Sequence, residues 1–107
     1  MEKYIYVSAQ FVGFHYWENC PRGYEYLGNT HRHLFKVRLG MRVIDSDREI
    51  EFHDLQNQLN VYLKRHWADR EFECSCEHIA EYIMAFFTAA FVEVSEDGEN
   101  GAILENS

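Results

Sequence analysis

His31 and His33 stand on either side of Arg32 in the stretch "GNTHRHLF", residues 28 to 35, where the chain enters a strand. Residues two apart in a strand face the same way, with same-face neighbours roughly 7 Å apart. Both imidazoles therefore lean towards one point, on the face that also carries Phe35 and Val37. Imidazole pairs of this kind are a common way to hold zinc, and a catalytic zinc takes three protein ligands with one position left open. His15, in the segment after the first strand, supplies the third ligand if the two strands are neighbours. From spacing alone a second reading stays open, an ordinary strand end with both rings solvated or hydrogen-bonded. Cys74 and Cys76 form C-x-C at a helix start, but two further ligands at suitable spacing are missing. His53 and His78 read as surface residues.

The elements that must position these side chains follow from hydrophobic period. Residues 3 to 11, KYIYVSAQF, are rich in β-branched and aromatic types and read as a strand. Val12 to Thr30 holds three Gly and the only Pro and reads as a long loop, of the kind that is often functional in a small domain. From His33 to Ile44 the alternation sets Phe35, Val37, Leu39, Met41 and Val43 on one face and Lys36, Arg38 and Arg42 on the other. That period of two marks a half-buried strand. Residues 45 to 49, DSDRE, read as a turn, and Glu49 to Phe52 as a short strand pairing back. Asp54 is placed to cap a helix from Leu55 to about Trp67. After a polar break, Asp69 to Glu73, Ser75 caps a second helix with Ile79, Ile83, Phe86, Phe87 and Ala90 as its apolar stripe. "FVEVSED" reads as a third strand, residues 98 to 101 as a turn and "AILEN" as a last strand. The order ββααββ predicts an α+β domain, a four-stranded antiparallel sheet with two helices on one face.

Bulk properties narrow the function classes. The chain of 107 residues is read as one domain spanning 1 to 107, with 47% apolar and 16% aromatic residues, enough for a core. Eighteen acidic residues against ten basic ones give a formal charge of -8, which disfavours a nucleic-acid partner. The longest apolar run, Ile83 to Val94, is broken by Glu93 and too short to span a bilayer. Three cysteines without framework spacing, and no signal-peptide pattern, point to a reducing cytoplasm.

The stretches "FVGFH", "HRHLFKV", "EIEFHDLQNQL", "CSCEHIAEYI" and "VEVSED" run in order over nearly the whole chain. Together they resemble the 6-pyruvoyltetrahydropterin synthase and 6-carboxytetrahydropterin synthase family. That family has Phe-x-x-x-His closing its first strand, His-Gly-His opening the second and Asp-Phe-x-x-Leu entering the first helix. A Pro-Thr-Ser/Thr-Glu cap opens its second helix, and Glu-Thr ends its third strand. The resemblance implies a tunnelling fold, in which four-stranded sheets close into a barrel as homotrimers, often paired into homohexamers, with active sites between subunits. It implies a zinc-dependent lyase acting on 7,8-dihydroneopterin triphosphate. The product would be 6-carboxytetrahydropterin, on the way to deazaguanines and queuosine, or 6-pyruvoyltetrahydropterin.

Residue by residue, the resemblance makes His15, His31 and His33 the zinc ligands and Glu96 the carboxylate that grips the pterin ring. Ser75, Cys76 and Glu77 fall on the turn that frames the pterin pocket. The departures concern the proton relay. The family's cysteine usually lies a few residues before the first His of its His-Gly-His, where this chain has Leu27 and Glu25; the nearest cysteine is Cys20. Glu25 and Cys20 are both candidates for the base. His66 is the candidate for the family's catalytic histidine, but Arg65 replaces the aspartate that would orient it. Arg32 replaces the Gly between two ligands. The triphosphate would need a local basic patch, for which Arg32, Lys36, Arg38 and Lys64 are candidates. The alternative these departures leave open is a catalytically degenerate tunnelling-fold protein that binds a pterin or purine-like ligand.

Overall fold

The computed structural model describes residues 1 to 106. Two long strands, β1 (Lys3–His15) and β2 (His31–Val43), pair antiparallel along their whole length, from Lys3 opposite Val43 to His15 opposite His31. Period two sends Val7, Phe11, Phe35, Val37 and Leu39 into the core and leaves Tyr4, Tyr6, Lys36 and Arg38 on the other face. On that outer face the Arg38 guanidinium lies 4.7 Å above the Tyr6 ring and pairs with Glu93 at 3.1 Å. Both strands run further towards the loop than periodicity indicates, so that β1 ends on His15 and β2 begins on His31. The connecting loop is correspondingly shorter, with one 3-10 turn at Glu25–Leu27.

Helix α1 (Phe52–His66) starts three residues before Leu55 because Glu51, not Asp54, is the cap: its carboxylate accepts the Asp54 N–H at 2.8 Å. The short strand expected at Glu49–Phe52 does not form. Arg48 turns into the left-handed region at φ 55°, and the Glu49 carboxylate accepts the N–H groups of Ile44 and Asp45 at 2.9 and 2.8 Å. The segment closes a turn instead of extending.

A two-residue strand that the sequence pattern does not reveal, β3 (Glu71–Phe72), follows α1 and runs parallel to the end of β1. The expected four-stranded antiparallel sheet is therefore a five-stranded mixed one, in the order β3-β1-β2-β4-β5. The added strand has a hydrogen-bonding cause. The Phe14 N–H donates to the Arg70 carbonyl at 3.0 Å and the Tyr16 N–H to the Phe72 carbonyl at 3.3 Å, satisfying donors on the free side of β1.

Helix α2 (Cys76–Phe87) begins at Ser75, whose hydroxyl accepts the His78 N–H at 3.2 Å, and ends at Thr88, left-handed at φ 53°. Strands β4 (Phe91–Glu96) and β5 (Asn100–Glu105) complete the sheet as a hairpin. Positive φ at Asp97 (57°) and Gly98 (75°) matches the Asp-Gly turn that suits the right-handed twist of paired strands. Both helices cover one face. Leu59 and Leu63 of α1, and Ile79 and Ile83 of α2, meet Phe35, Leu39, Val92 and Val94 in one core. Each such side chain removed from water contributes roughly 1.5–3 kcal/mol. Among the described residues, no helix is long and apolar enough to cross a membrane.

Candidate metal centre and adjoining cleft

At the loop end of the sheet the inward face changes from apolar to imidazole. The register sets His15 opposite His31 and Gly13 opposite His33, so three rings occupy a corner that Phe35 closes from below. Ring centroids are 4.4 Å apart for His15 and His31, 4.8 Å for His31 and His33, and 5.1 Å for His15 and His33. One nitrogen from each ring lies within 4.8 Å of the other two. The missing side chain at Gly13 is what admits Phe72: a Cβ there would stand 2.8 Å from that ring.

The outer nitrogens are held by acceptors. His31 Nδ1 donates to the Asn29 carbonyl at 2.8 Å, and His33 Nδ1 to the Asp97 carboxylate at 2.7 Å. His15 Nδ1 faces the Cys74 carbonyl at 3.5 Å. Carbonyls and carboxylates only accept, so in the neutral form of each ring they favour the proton on Nδ1 and the lone pair on Nε2. His15 is 9% exposed, and its Nε2 is buried without a hydrogen-bond partner. Glu96 Oε1 comes within 3.3 Å of that atom, though not in hydrogen-bonding geometry, and Glu96 Oε2 lies 3.5 Å from His33 Nε2. Burial lowers the His15 pKa below its ordinary value against the pull of Glu96, with His31 and His33 adding to the lowering. Burial thus favours the neutral ring, the form a metal binds. A buried nitrogen without a hydrogen-bond partner, in a set of three converging imidazoles, fits a divalent ion.

Beside the imidazoles opens a cleft of about 740 Å³. Its walls include His15 and His31, Trp17 and Leu27 from the loop, Ser75, Cys76 and Glu77 from the start of α2, and Glu96. The four residues expected to bind a ring-shaped ligand, Glu96, Ser75, Cys76 and Glu77, thus share one cavity with two of the imidazoles. The Cys76 thiol is pushed up to about 12, by burial first and then by Glu96 and Glu77, and burial also raises Cys74. Among the described residues neither sulfur joins a group of three metal-ligating side chains, so C-x-C has no further ligands beside it.

The relay candidates lie elsewhere. Glu25 is exposed in the 3-10 turn, where its carboxylate accepts the Gly23 N–H at 3.0 Å; that bond holds its pKa below the ordinary value. Cys20 is half-buried beneath Gly28 and does not line the cleft. His66 is exposed at the end of α1, against Tyr62 at 4.7 Å between centroids and Phe86 at 6.4 Å. Of the cations considered for a triphosphate, Arg32, Lys36, Arg38 and Lys64, none is among the cleft residues. Asp97 escaped the sequence reading. Its one sequence signal is the Asp-Gly turn, which gives no hint of a histidine 64 positions away.

The class these features define is an α+β fold, two helices on a mixed five-stranded sheet, carrying a three-histidine cluster. No family model matches the sequence, and no curated protein matches it. Nine chains of solved structures do match. One of them is 6-pyruvoyl tetrahydropterin synthase of Caenorhabditis elegans, with a TM-score of 0.75 and 14% identity over 100% of this chain and 97% of that one. The chain has the fold of that synthase.

Proposed function

We propose that this chain is a zinc-dependent lyase of the 6-pyruvoyltetrahydropterin or 6-carboxytetrahydropterin synthase type, acting on 7,8-dihydroneopterin triphosphate. The observation that carries the proposal is the convergence of His15, His31 and His33 beside Glu96, at the edge of a cleft of ligand size. Zinc, when bound, would supply Lewis-acid polarisation of the substrate's side-chain oxygens. Glu96 offers two acceptor oxygens to the ring N–H and amino groups of a pterin. Ser75, Cys76 and Glu77 bound the space in which the ring lies. Glu25, Cys20 and His66 are the proposed proton-moving groups. Their places outside the cleft require a neighbouring copy, or movement of the loop, to bring them in.

A homotrimer or homohexamer is part of the same proposal. Supporting it are the two sheet edges. β5 is outermost, and β3 covers β1 only at Phe14 and His15. Exposed edges of that length call for a partner strand.

A second reading is favoured by one specific observation. The cleft walls hold Glu73, Glu77 and Glu96 but no Lys or Arg among the described residues. An acidic cleft suits an uncharged pterin or purine-like ring better than a triphosphate, which would make the protein a non-catalytic binder. The deciding experiment incubates zinc-loaded protein with 7,8-dihydroneopterin triphosphate and measures released triphosphate. Release that is lost in His33→Ala supports the lyase. Zinc retained with no release leaves the binder.

A further inference from the structure

We infer that Asp97 is the positioning carboxylate of this metal centre, holding His33 in the tautomer and orientation that aim Nε2 at the ion. The inference rests on the metal reading proposed above and adds a residue that neither spacing nor motif singles out.

The geometry is over-determined. The Asp97 N–H donates to the Leu34 carbonyl at 2.7 Å, and its Oδ1 accepts the Leu34 N–H at 2.9 Å. The residue is thereby clamped to β2 one position beyond His33. Oδ2 is left to accept His33 Nδ1–H at 2.7 Å. The two oxygens of one carboxylate take two separate donors, one backbone and one imidazole. Metal-bound histidines commonly give their second N–H to such a carboxylate, which fixes the ring and raises its basicity as a ligand. His31 has only the Asn29 carbonyl in this role, and His15 a longer contact to the Cys74 carbonyl. Of the three imidazoles, His33 alone gives its Nδ1–H to a carboxylate.

The turn itself explains why the site can be built here. The hairpin between β4 and β5 requires a left-handed residue directly after Glu96, and Asp is one of the few non-glycine residues that accept that conformation. A purely structural turn residue would be Asn as readily as Asp. The amide differs in one respect. It has a single acceptor oxygen, and the Leu34 N–H requires it. Its NH₂ would then face His33 Nδ1, which must become the acceptor and move its proton to Nε2. The lone pair needed by the metal is lost while the turn is kept.

The test uses the full chain carrying Asp97→Asn. Long-range ¹H–¹⁵N correlation on the metal-free, histidine-labelled protein reads the His33 tautomer, and chelator competition reads zinc affinity. The expected result is Nδ1–H in the parent, Nε2–H in the variant, and zinc affinity lower by about 10–100-fold. An unchanged tautomer, with zinc affinity within about twofold of the parent, would overturn the inference while leaving the three-histidine site intact. A parent chain that binds no zinc overturns the metal reading itself, and this role with it. Should Asp97→Asn not fold, Asp97→Gly keeps the left-handed turn and removes both acceptors. It is expected to show the same loss of affinity, and parent-like affinity there overturns the inference.

Discussion

At the scale of residues, the decisive atom is His15 Nε2, buried and without a partner. Leaving a polar atom in that state costs on the order of 1–3 kcal/mol, which coordination of an ion offsets. A ligand that binds only the folded state stabilises it by about 2.7 kcal/mol at a hundredfold excess over Kd. In a domain of this size that raises Tm by on the order of 10 °C. Thermal unfolding followed by circular dichroism should show such a rise with zinc in the parent chain and none in His15→Ala. An equal rise in both would place the ion elsewhere. The shared orientation of His31 and His33 was readable from sequence because a period of two leaves no freedom. The partnership of His33 with Asp97 was not, since it depends on the register of β2 against β4 and on one turn. Cys20 and Glu25 fall in a loop with no period, where spacing carries no information about direction.

The elements make two further expectations. Gly13 lets the Phe72 ring lie against β1 next to the histidines, so Gly13→Ala forces β3 or the ring outward. Overpacking of this kind costs about 1–3 kcal/mol. Urea unfolding should show that loss, with zinc affinity falling alongside as His15 and His33 lose their register. The turn after β2 responds to pH through Glu49. The N–H groups of Asp45, chiefly, and Ile44 hold its carboxyl below the usual 4.5. A depressed folded value means that the stabilisation is present above 4.5 and lost as pH falls through the lower one. The amide resonances of Ile44 and Asp45 should therefore titrate with a midpoint under 4.5, and a midpoint at or above it would contradict the capped turn. Long periodic elements, β2 and α2, were legible because many residues repeat the same signal. The two residues of β3 repeat nothing, and their existence follows from where α1 returns the chain. The start of α1 was displaced because Glu51 offers its carboxylate to the same helix end that Asp54 was expected to cap.

For the whole molecule, the layers were readable and the fifth strand of the sheet was not. Two amphipathic helices and alternating strands leave few α+β arrangements, and the single core joining α1, α2 and the sheet is one of them. Leu59 and Ile83, both fully buried at its centre, should each cost roughly 2–5 kcal/mol when cut to Ala, measured by denaturant unfolding. What a single chain cannot encode visibly is what meets its sheet edges. If β1 and β5 pair with other copies, sedimentation equilibrium will give a mass that is a multiple of 12.8 kDa. A species of 12.8 kDa at micromolar concentration would leave the edges free and the cleft walls confined to one chain.

The most direct test of the central claim is X-ray absorption at the zinc edge, on protein prepared with one equivalent of zinc and freed of excess. Three imidazole nitrogens at about 2.0–2.1 Å are expected, with the remaining position taken by oxygen. Scattering from sulfur at about 2.3 Å, or fewer than three imidazoles, would contradict the assignment of His15, His31 and His33 as the metal's ligands.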